Sequence, residues 1–233
     1  KSLCAYKEQR EETESILEIY NYTHILQDFL DAMGIVTIQP YNLEADDVVG
    51  YLARSQETKM IISSDRDLLQ LVNENTHVNL PSKDIIVTPE NFEAIATVKH
   101  DQFILYKSIM GDISDNIKGL EKFGPVRAKK LVLANLGKSI DEFNITEEQK
   151  TIIKNNIRVI NIANGLIESP DEEQSYIEQL KNYAECKFDG DKLYRLFDKY
   201  QFMNYCRELG NWNRIFNPTE TESQDDVLFN ITM

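Results

Sequence analysis

Three short acidic motifs contain the residues whose types and spacing are best suited to chemistry. Their seven carboxylates belong to Glu44, Asp46, Asp47, Asp65, Asp67, Asp112 and Asp115. If these side chains converge in one cleft, they repel one another and cannot all stay ionised without cations. Oxygen ligands with neither His nor Cys nearby suit Mg²⁺ or Mn²⁺ better than zinc. Two such ions about 4 Å apart can activate water and stabilise the leaving oxygen of a phosphoryl displacement, which is nuclease chemistry.

Each acidic motif also has an ordinary structural explanation. The first motif opens a predicted helix, where carboxylates stabilise exposed amides and the helix dipole. The second directly follows an apolar strand, at the carboxyl end where open α/β sheets place active sites. Within it Asp67 can cap the next helix, whereas Asp65 has no such structural role. The third motif alone is an acidic turn, so only the order and placement of all three predict a metal site.

A basic turn follows the third acidic motif, although the chain as a whole has a net charge of −14. Its glycines Gly119 and Gly124 permit tight backbone geometry, and Pro125 suits the first turn of a helix. Backbone amides at such a helix start, together with nearby cations, can bind phosphates of a duplex without reading its bases. The candidate DNA-binding residues are Lys118, Gly119, Lys122, Gly124, Arg127, Lys129 and Lys130. A solvated basic helix face is the alternative interpretation.

Alternating helical and β-type segments must position the first two motifs. Hydrophobic spacing predicts helices over Glu11–Met33 and Glu44–Arg54, and a further helix over Asp67–Val72. The predicted strands are Gly34–Pro40, Lys59–Ser63, Thr76–Leu80 and Asp84–Thr88. This alternation implies an α/β domain with a parallel sheet.

The sequence after Pro89 has helical periodicity and no convincing strand. The predicted helices are Glu90–Ala96, Gln102–Met110, Val126–Leu136, Glu147–Leu166, Glu173–Tyr183 and Lys192–Tyr200. We therefore expect an α/β metal-binding core over residues 1–100, a helical domain over 101–216 and a mobile acidic tail over 217–233. Three scattered cysteines indicate a reducing compartment, and no apolar run is long enough to cross a bilayer.

The three acidic motifs and the basic turn, in this order, resemble the flap endonuclease family over about residues 6–210. This family includes bacteriophage 5′ exonucleases and the 5′-nuclease domain of bacterial DNA polymerase I. The resemblance implies a Rossmann-like (PIN-like) core followed by a helix-three-turn-helix motif at about residues 112–136. It also implies two divalent metal ions, a K⁺ ion at the DNA-binding turn, and removal of RNA primers or 5′ flaps in replication and repair.

The resemblance assigns a role to each candidate residue. Glu44, Asp46 and Asp47 would bind the first metal, and Asp65, Asp67, Asp112 and Asp115 the second. Near the amino end, Tyr6-Lys7-Glu-Gln-Arg10 resembles a segment at the base of the family's arch. Lys7 would stabilise charge on the scissile phosphate with help from Arg10, although a solvent-facing helix start is an equal alternative. The expected protein is a monomer in the cytoplasm of a bacterium or a phage-infected host.

The sequence departs from the family pattern near its amino end. The family's first strand, its metal-binding Asp, a second Asp and much of its arch have no counterpart in this sequence. We therefore expect the chain by itself to bind branched DNA and to cut it weakly.

The segment Gln224–Phe229 loosely resembles a sliding-clamp peptide, but Val227 replaces the expected leucine, which favours a chance match.

Two other functions remain open from the sequence. A catalytically impaired module that binds DNA junctions would retain the acids for folding alone. A PIN-type ribonuclease would share the α/β core and the carboxylates but would not need the basic turn. A phosphotransferase or phosphatase of another α/β type is disfavoured, because no nucleophilic aspartate motif follows the first visible strand.

Overall fold

The computed structural model describes residues 14–38, 44–162 and 187–216 of the 233-residue chain. The chain forms two compact units, the first comprising Lys1–Arg10 and Tyr41–Pro170 and the second Glu11–Pro40 and Asp171–Met233. This grouping differs from the expected division at residue 100. The difference arises because the sheet and the helices that follow it pack around the same hydrophobic core.

A small mixed sheet organises the described part of the first unit. Helix α2 (Ala45–Leu52) precedes strand β1 (Lys59–Ile62), and a 3₁₀ helix at Arg66–Leu71 precedes β2 (Thr76–Leu80) and β3 (Ile85–Val87). Strands β1 and β2 are parallel, as expected, whereas β2 and β3 are antiparallel. The parallel sheet expected from the sequence is therefore mixed at β3, because the turn predicted at Pro81-Ser82 is a short connection, Pro81–Lys83, that permits only a hairpin.

Helices follow the sheet and carry a short hairpin between them. These elements are α3 (Phe92–Ala96), α4 (Phe103–Met110), β4 (Gly111–Asp112), β5 (Ile117–Lys118), α5 (Pro125–Ala134) and α6 (Glu147–Ile160). The antiparallel pair β4–β5 corrects the expectation that no strand follows Pro89. Strands of two residues are too short to show the alternation on which strand prediction depends. Helix α6 ends at Ile160, and residues 163–166 of its predicted extension lie outside the described residues.

The first unit has one main hydrophobic core between the inner face of the sheet and the helices. Val78 and Val87 from the sheet, Ile109 from α4, Val132 from α5 and Ile153 from α6 are fully buried in it. The outer face of the sheet is apolar but exposed at three positions, which are Met60, Ile62 and Ile86. Burial of the inner face therefore fixes α4 and α6 against the sheet, while the outer face contributes little to the core.

The described part of the second unit consists of four helices with an aromatic core. These helices are α1 (Glu14–Ala32), α7 (Gly190–Lys199), α8 (Met203–Arg207) and α9 (Leu209–Phe216). Phe29 of α1 packs on Phe197 of α7 with ring centroids 5.3 Å apart. The sequence predicted α1 and α7 but not α8 or α9, whose lengths of five and eight residues give little periodicity.

Several predictions concern residues at the edges of the second unit. Residues 35–38 form no strand, so the predicted strand at Gly34–Pro40 is wrong over that range. The predicted helix Glu173–Tyr183 and the acidic tail 217–233 lie outside the described residues. No helix in the described ranges combines the length and the apolar character needed to cross a membrane.

Candidate metal centre

The second acidic motif lies at the carboxyl end of β1, as expected. The backbone N–H of Asp65 donates to Ser63 Oγ at 3.1 Å, and Asp65 Oδ1 accepts from the backbone N–H of Asp67 at 2.8 Å. Asp65 therefore caps the Arg66–Leu71 3₁₀ helix, a role that the sequence had offered to Asp67. This capping frees the Asp67 side chain to face another element.

Asp112 lies in β4, where the third acidic motif begins. Its Oδ1 accepts hydrogen bonds from both the backbone N–H, at 2.9 Å, and the hydroxyl of Ser114. Asp115 and Asn116 follow in the loop to β5, and Asn116 adopts a left-handed conformation with φ 57°. The turn thus commits one oxygen of Asp112 and leaves Oδ2 for a partner outside the loop.

The ammonium group of Lys107 joins the second and third motifs. Lys107 Nζ lies 2.6 Å from Asp67 Oδ1 and 2.7 Å from Asp112 Oδ2, and it donates a hydrogen bond to the latter. All three side chains are largely withdrawn from solvent, with exposed fractions of 17% to 18%. Two carboxylates that are distant in sequence therefore share one cation in a partly dehydrated position.

Burial and charge together shift the pKa of each group in this cluster. Burial raises the pKa of Asp67 above 3.8 despite Lys107, and the nearby charges of Asp65 and Asp112 raise it further. Burial also opposes the charge of Asp112, but the hydrogen bonds from Lys107 and Ser114 outweigh it and lower its pKa. For Lys107, burial lowers the pKa, yet the two carboxylates prevail and raise it above 10.5. The ammonium is therefore held in its charged form.

The residues of this cluster suit a divalent cation in their chemistry. Asp65, Asp67 and Asp112 supply only carboxylate oxygens, which Mg²⁺ and Mn²⁺ prefer. Asp67 Oδ1 is buried, and no described donor meets it at a hydrogen-bonding angle, although Lys107 forms an ion pair with it. Across residues 14–38, 44–162 and 187–216, no three acidic, His or Cys side chains are already arranged to hold a metal ion.

The first acidic motif performs the structural role that its position suggested. Glu44 is the N-cap of α2, and its backbone N–H donates to Asp47 Oδ2 at 3.1 Å within a capping box. Asp47 is buried, with 4% of its surface exposed, and Asp46 is half-buried. Among the described residues this motif does not join the Asp67–Asp112 cluster as a metal-holding group.

Crowding of the backbone around the third motif explains why positions 111 and 119 are both glycine. A side chain at Gly119 would place Cβ 2.1 Å from the carbonyl oxygen of Met110, which is a collision with backbone. Gly111, opposite it, has φ 72° and is equally crowded. Gly124, the N-cap of α5, has open space within 4 Å of an added Cβ. Gly119 is thus needed for packing, whereas Gly124 leaves the start of α5 accessible.

The cations of the basic turn fall into two groups. Lys118, Lys122, Arg127 and Lys130 are exposed around the β5–α5 turn. Arg127 donates to the carbonyl of Lys122 at 3.1 Å, which braces the turn before α5. Lys129 instead donates to the carbonyl of Thr97 at 2.6 Å and lies 3.9 Å from Glu93, so it ties α5 to the end of α3.

Sequence reasoning missed Lys107 and two buried amides that support the cluster. The signal for Lys107 was available, because a single charge in the apolar helix Phe103–Met110 requires a partner when buried. Gln70 donates to the carbonyls of Asp67 and Ile160, and it accepts from the backbone N–H of Ile162. Nothing in the local sequence distinguishes Gln70 from an exposed glutamine.

The second buried amide, Asn156, lies on α6. Its Nδ2 donates to the carbonyls of Ser108, at 2.8 Å, and Lys118, at 2.9 Å. It therefore binds α6 to the helix that carries Lys107 and to the hairpin that carries Asp112. Lys7 and Arg10, like the segment Gln224–Phe229, lie outside the described residues.

Parts of the chain are similar in sequence to known nucleases and DNA polymerases. Residues 1–99 match the family model of the 5′-3′ exonuclease N-terminal resolvase-like domain. A 5′-3′ exonuclease of Buchnera aphidicola subsp. Acyrthosiphon pisum is 34% identical over 142 residues, or 59% of this chain and 49% of that protein. DNA polymerase I of Lactococcus lactis is 29% identical over 64% of this chain and 18% of its own length. The chain spans about half the length of the curated exonucleases it matches, or less.

Solved structures give the same result for the fold. The T5 D15 protein co-crystallised with metal ions aligns with a TM-score of 0.63 at 21% identity, over 79% of this chain and 78% of that one. A complex of a T5 D15 flap endonuclease variant with DNA and metal ions gives 0.60 at 20% identity, over 76% and 73%. The chain thus has an α/β fold like that of T5 5′ exonuclease, and its expected resemblance in sequence to the 5′-3′ exonucleases is confirmed.

Proposed function

We propose that this chain is the metal-binding and DNA-binding part of a structure-specific 5′ nuclease. Its substrate would be flapped or branched duplex DNA, including RNA-primed ends, in replication and repair. The observation that carries the proposal is the meeting of Asp67 and Asp112 around one cation in a partly buried position. The names of the relatives and the metal-bound and DNA-bound T5 neighbours support it.

The chain's carboxylates would hold two divalent ions, Mg²⁺ or Mn²⁺. Asp65, Asp67, Asp112 and Asp115 would serve one ion and Glu44, Asp46 and Asp47 the other. When bound, these ions would supply an activated water and stabilise the leaving oxygen of a phosphodiester. Two contacts support this assignment, because Asp65 accepts from the backbone N–H of Asp67 and Ser114 holds one oxygen of Asp112.

The β4–β5 hairpin, the turn after it and α5 would form the duplex-binding part of a helix-three-turn-helix motif at about residues 112–136. Gly124 leaves open space at the N-terminus of a ten-residue helix, where backbone amides can meet a phosphate. Lys118, Lys122, Arg127 and Lys130 are exposed beside it. A K⁺ ion at this turn and Lys7 and Arg10 at the scissile phosphate are parts of the same proposal, whereas clamp binding by Gln224–Phe229, for which a chance match is favoured, is not.

Cleavage and binding of a 5′-flap substrate test this proposal together. Purified chain should bind a labelled flap duplex and cut it only with added Mg²⁺ or Mn²⁺. Asp112→Asn should lower cleavage at least about 100-fold while leaving the flap-duplex Kd within about three-fold, because it removes a metal ligand and not a DNA contact. Cleavage of wild type and variant at the same rate would refute the metal centre.

A DNA-junction-binding module without catalysis is the second candidate, because Glu44 and Asp47 already serve a capping box. It predicts tight, metal-independent flap binding and no cleavage at any concentration of Mn²⁺. Lys130→Ala separates both from a single-strand ribonuclease. Lys130→Ala should weaken duplex binding if the protein is a flap nuclease or a junction-binding module. Lys129→Ala should instead lower the stability of the fold, because the Lys129 ammonium donates to the carbonyl of Thr97.

A further inference from the structure

Lys107 occupies the position between the two carboxylates that the proposed metal would need. Lys107 belongs to α4, whose residues Phe103, Tyr106 and Ile109 are buried, and 17% of its own side chain is exposed, so its ammonium is partly withdrawn from solvent. Asp112 Oδ1 is engaged by Ser114, which leaves Oδ2 as the oxygen for a cation. That oxygen faces Lys107 Nζ at 2.7 Å.

The charge of the site also points to an exchange of cations. Asp67 and Asp112 carry two negative charges, and Lys107 neutralises one of them within contact distance. Mg²⁺ binds oxygen at about 2.0–2.1 Å, whereas the ammonium nitrogen lies 2.6 Å from Asp67 Oδ1 and 2.7 Å from Asp112 Oδ2. A divalent ion on the same two oxygens would overlap the ammonium and repel it.

We propose that Lys107 is a resident counter-ion that holds Asp67 and Asp112 together in the metal-free protein and is displaced when a divalent metal ion binds. This inference rests on the proposed metal centre. It assigns Lys107 a positioning role with two consequences. The side chain stabilises the metal-free fold, and it weakens metal binding by competing for the same oxygens.

Lys107→Met tests both consequences, because methionine keeps a similar length and apolar stem without the charge. The affinity for Mn²⁺ is measured on the full chain without DNA, from the decrease of the EPR signal of free Mn²⁺ as the ion binds. If the ammonium occupies the site about 90% of the time, its removal should lower the apparent Kd for Mn²⁺ about ten-fold. Thermal unfolding in EDTA should occur at a lower temperature for the variant, and saturating Mn²⁺ should close most of that gap.

Lys99→Met is the matched control, since it removes one exposed lysine of the same unit that lies before the start of α4, whereas Lys107 lies in the last turn of that helix. It should leave both the Mn²⁺ affinity and the unfolding temperature as in the wild type. If the wild type binds Mn²⁺ and Lys107→Met binds it equally or more weakly, the counter-ion role is wrong while the metal centre stands. If neither protein binds Mn²⁺, the metal centre and the counter-ion role both fail.

Discussion

Asp67 and Asp112 contact the same ammonium, but their surroundings shift their pKa values in opposite directions. Asp112 accepts additional hydrogen bonds from Ser114, whereas Asp67 Oδ1 is buried beside other negative charges. A pKa that is raised in the folded state marks a carboxylate whose ionisation lowers stability, and a depressed pKa marks the opposite. Two residues of one site should therefore respond oppositely to the same substitution.

Asp67→Asn should raise the unfolding temperature of the metal-free protein at pH 7, and Asp112→Asn should lower it. For Asp67, the folded pKa lies above 3.8, so the penalty of its charge is present above the folded pKa and disappears below pH 3.8. For Asp112, the folded pKa lies below 3.8, so its stabilising charge is present above pH 3.8 and is lost as the pH falls through the folded value. Differential scanning calorimetry in EDTA at pH 7 and near pH 3.5 measures both effects. A destabilised Asp67→Asn at pH 7 would contradict the account of its burial.

The sequence indicated which carboxylates matter but not how the folded protein neutralises them. The spacing of Asp65 and Asp67 after an apolar strand was sufficient to place them at the carboxyl end of β1. Which of the two caps the following helix depended on backbone angles, and the structure assigned that role to Asp65. Lys107 was missed because its partners come from two other elements.

At the scale of elements, the β4–β5 hairpin needs close backbone contact at Gly119, whereas the N-terminus of α5 at Gly124 is free of neighbouring atoms. Gly119→Ala should cost about 3 kcal/mol or more, because its Cβ would lie 2.1 Å from the Met110 carbonyl oxygen. Gly124→Ala meets no protein atom within 4 Å and should cost about 1 kcal/mol or less, as an N-cap change. Its larger effect should be weaker flap-duplex binding. Urea unfolding measures the stability loss of each variant, and fluorescence anisotropy measures its binding to the flap duplex. Equal stability losses in Gly119→Ala and Gly124→Ala would contradict the different roles of the two glycines.

Helix α6 is an element whose polar contacts reach the site indirectly. Asn156→Ala would leave the carbonyls of Ser108 and Lys118 without this buried donor and should cost about 2 kcal/mol. Chemical denaturation measures the loss. Asn155→Ala on the exposed side of the same helix is the control, and it should change stability by less than about 0.5 kcal/mol. Similar losses in both variants would show that helix propensity, rather than the buried amide, determines the result.

Long periodic elements were predictable from sequence, and short or context-dependent ones were not. Helices α1, α4, α5 and α7 begin and end within a few residues of their predicted limits, because their apolar spacing is regular. The two-residue strands β4 and β5 depend on pairing with each other, and β3 reverses direction because of its short connection. The residues that connect elements, Gln70 and Asn156, have no local signature.

At the scale of the molecule, an acidic chain must bind an acidic polymer through a local basic region. The net charge is −14, whereas Lys118, Lys122, Arg127 and Lys130 are exposed around one turn. If all four contact phosphates, the slope of log K against log salt should be about −3 to −4, and Lys130→Ala should reduce its magnitude by about 1. Fluorescence anisotropy between low and moderate salt measures the slope. A salt-independent Kd would exclude the basic turn as the duplex contact.

Gln70 and Asn156 together bind α6 to the 3₁₀ helix that contains Asp67 and to the hairpin that contains Asp112. Segments joined in this way open cooperatively rather than one at a time. The backbone amides of Arg66–Leu71 and of β4–β5 should therefore exchange with deuterium at similar protected rates. The acidic groups of the centre would then be assembled or dispersed as one unit, so the protein should not populate a state in which only one of them is in place.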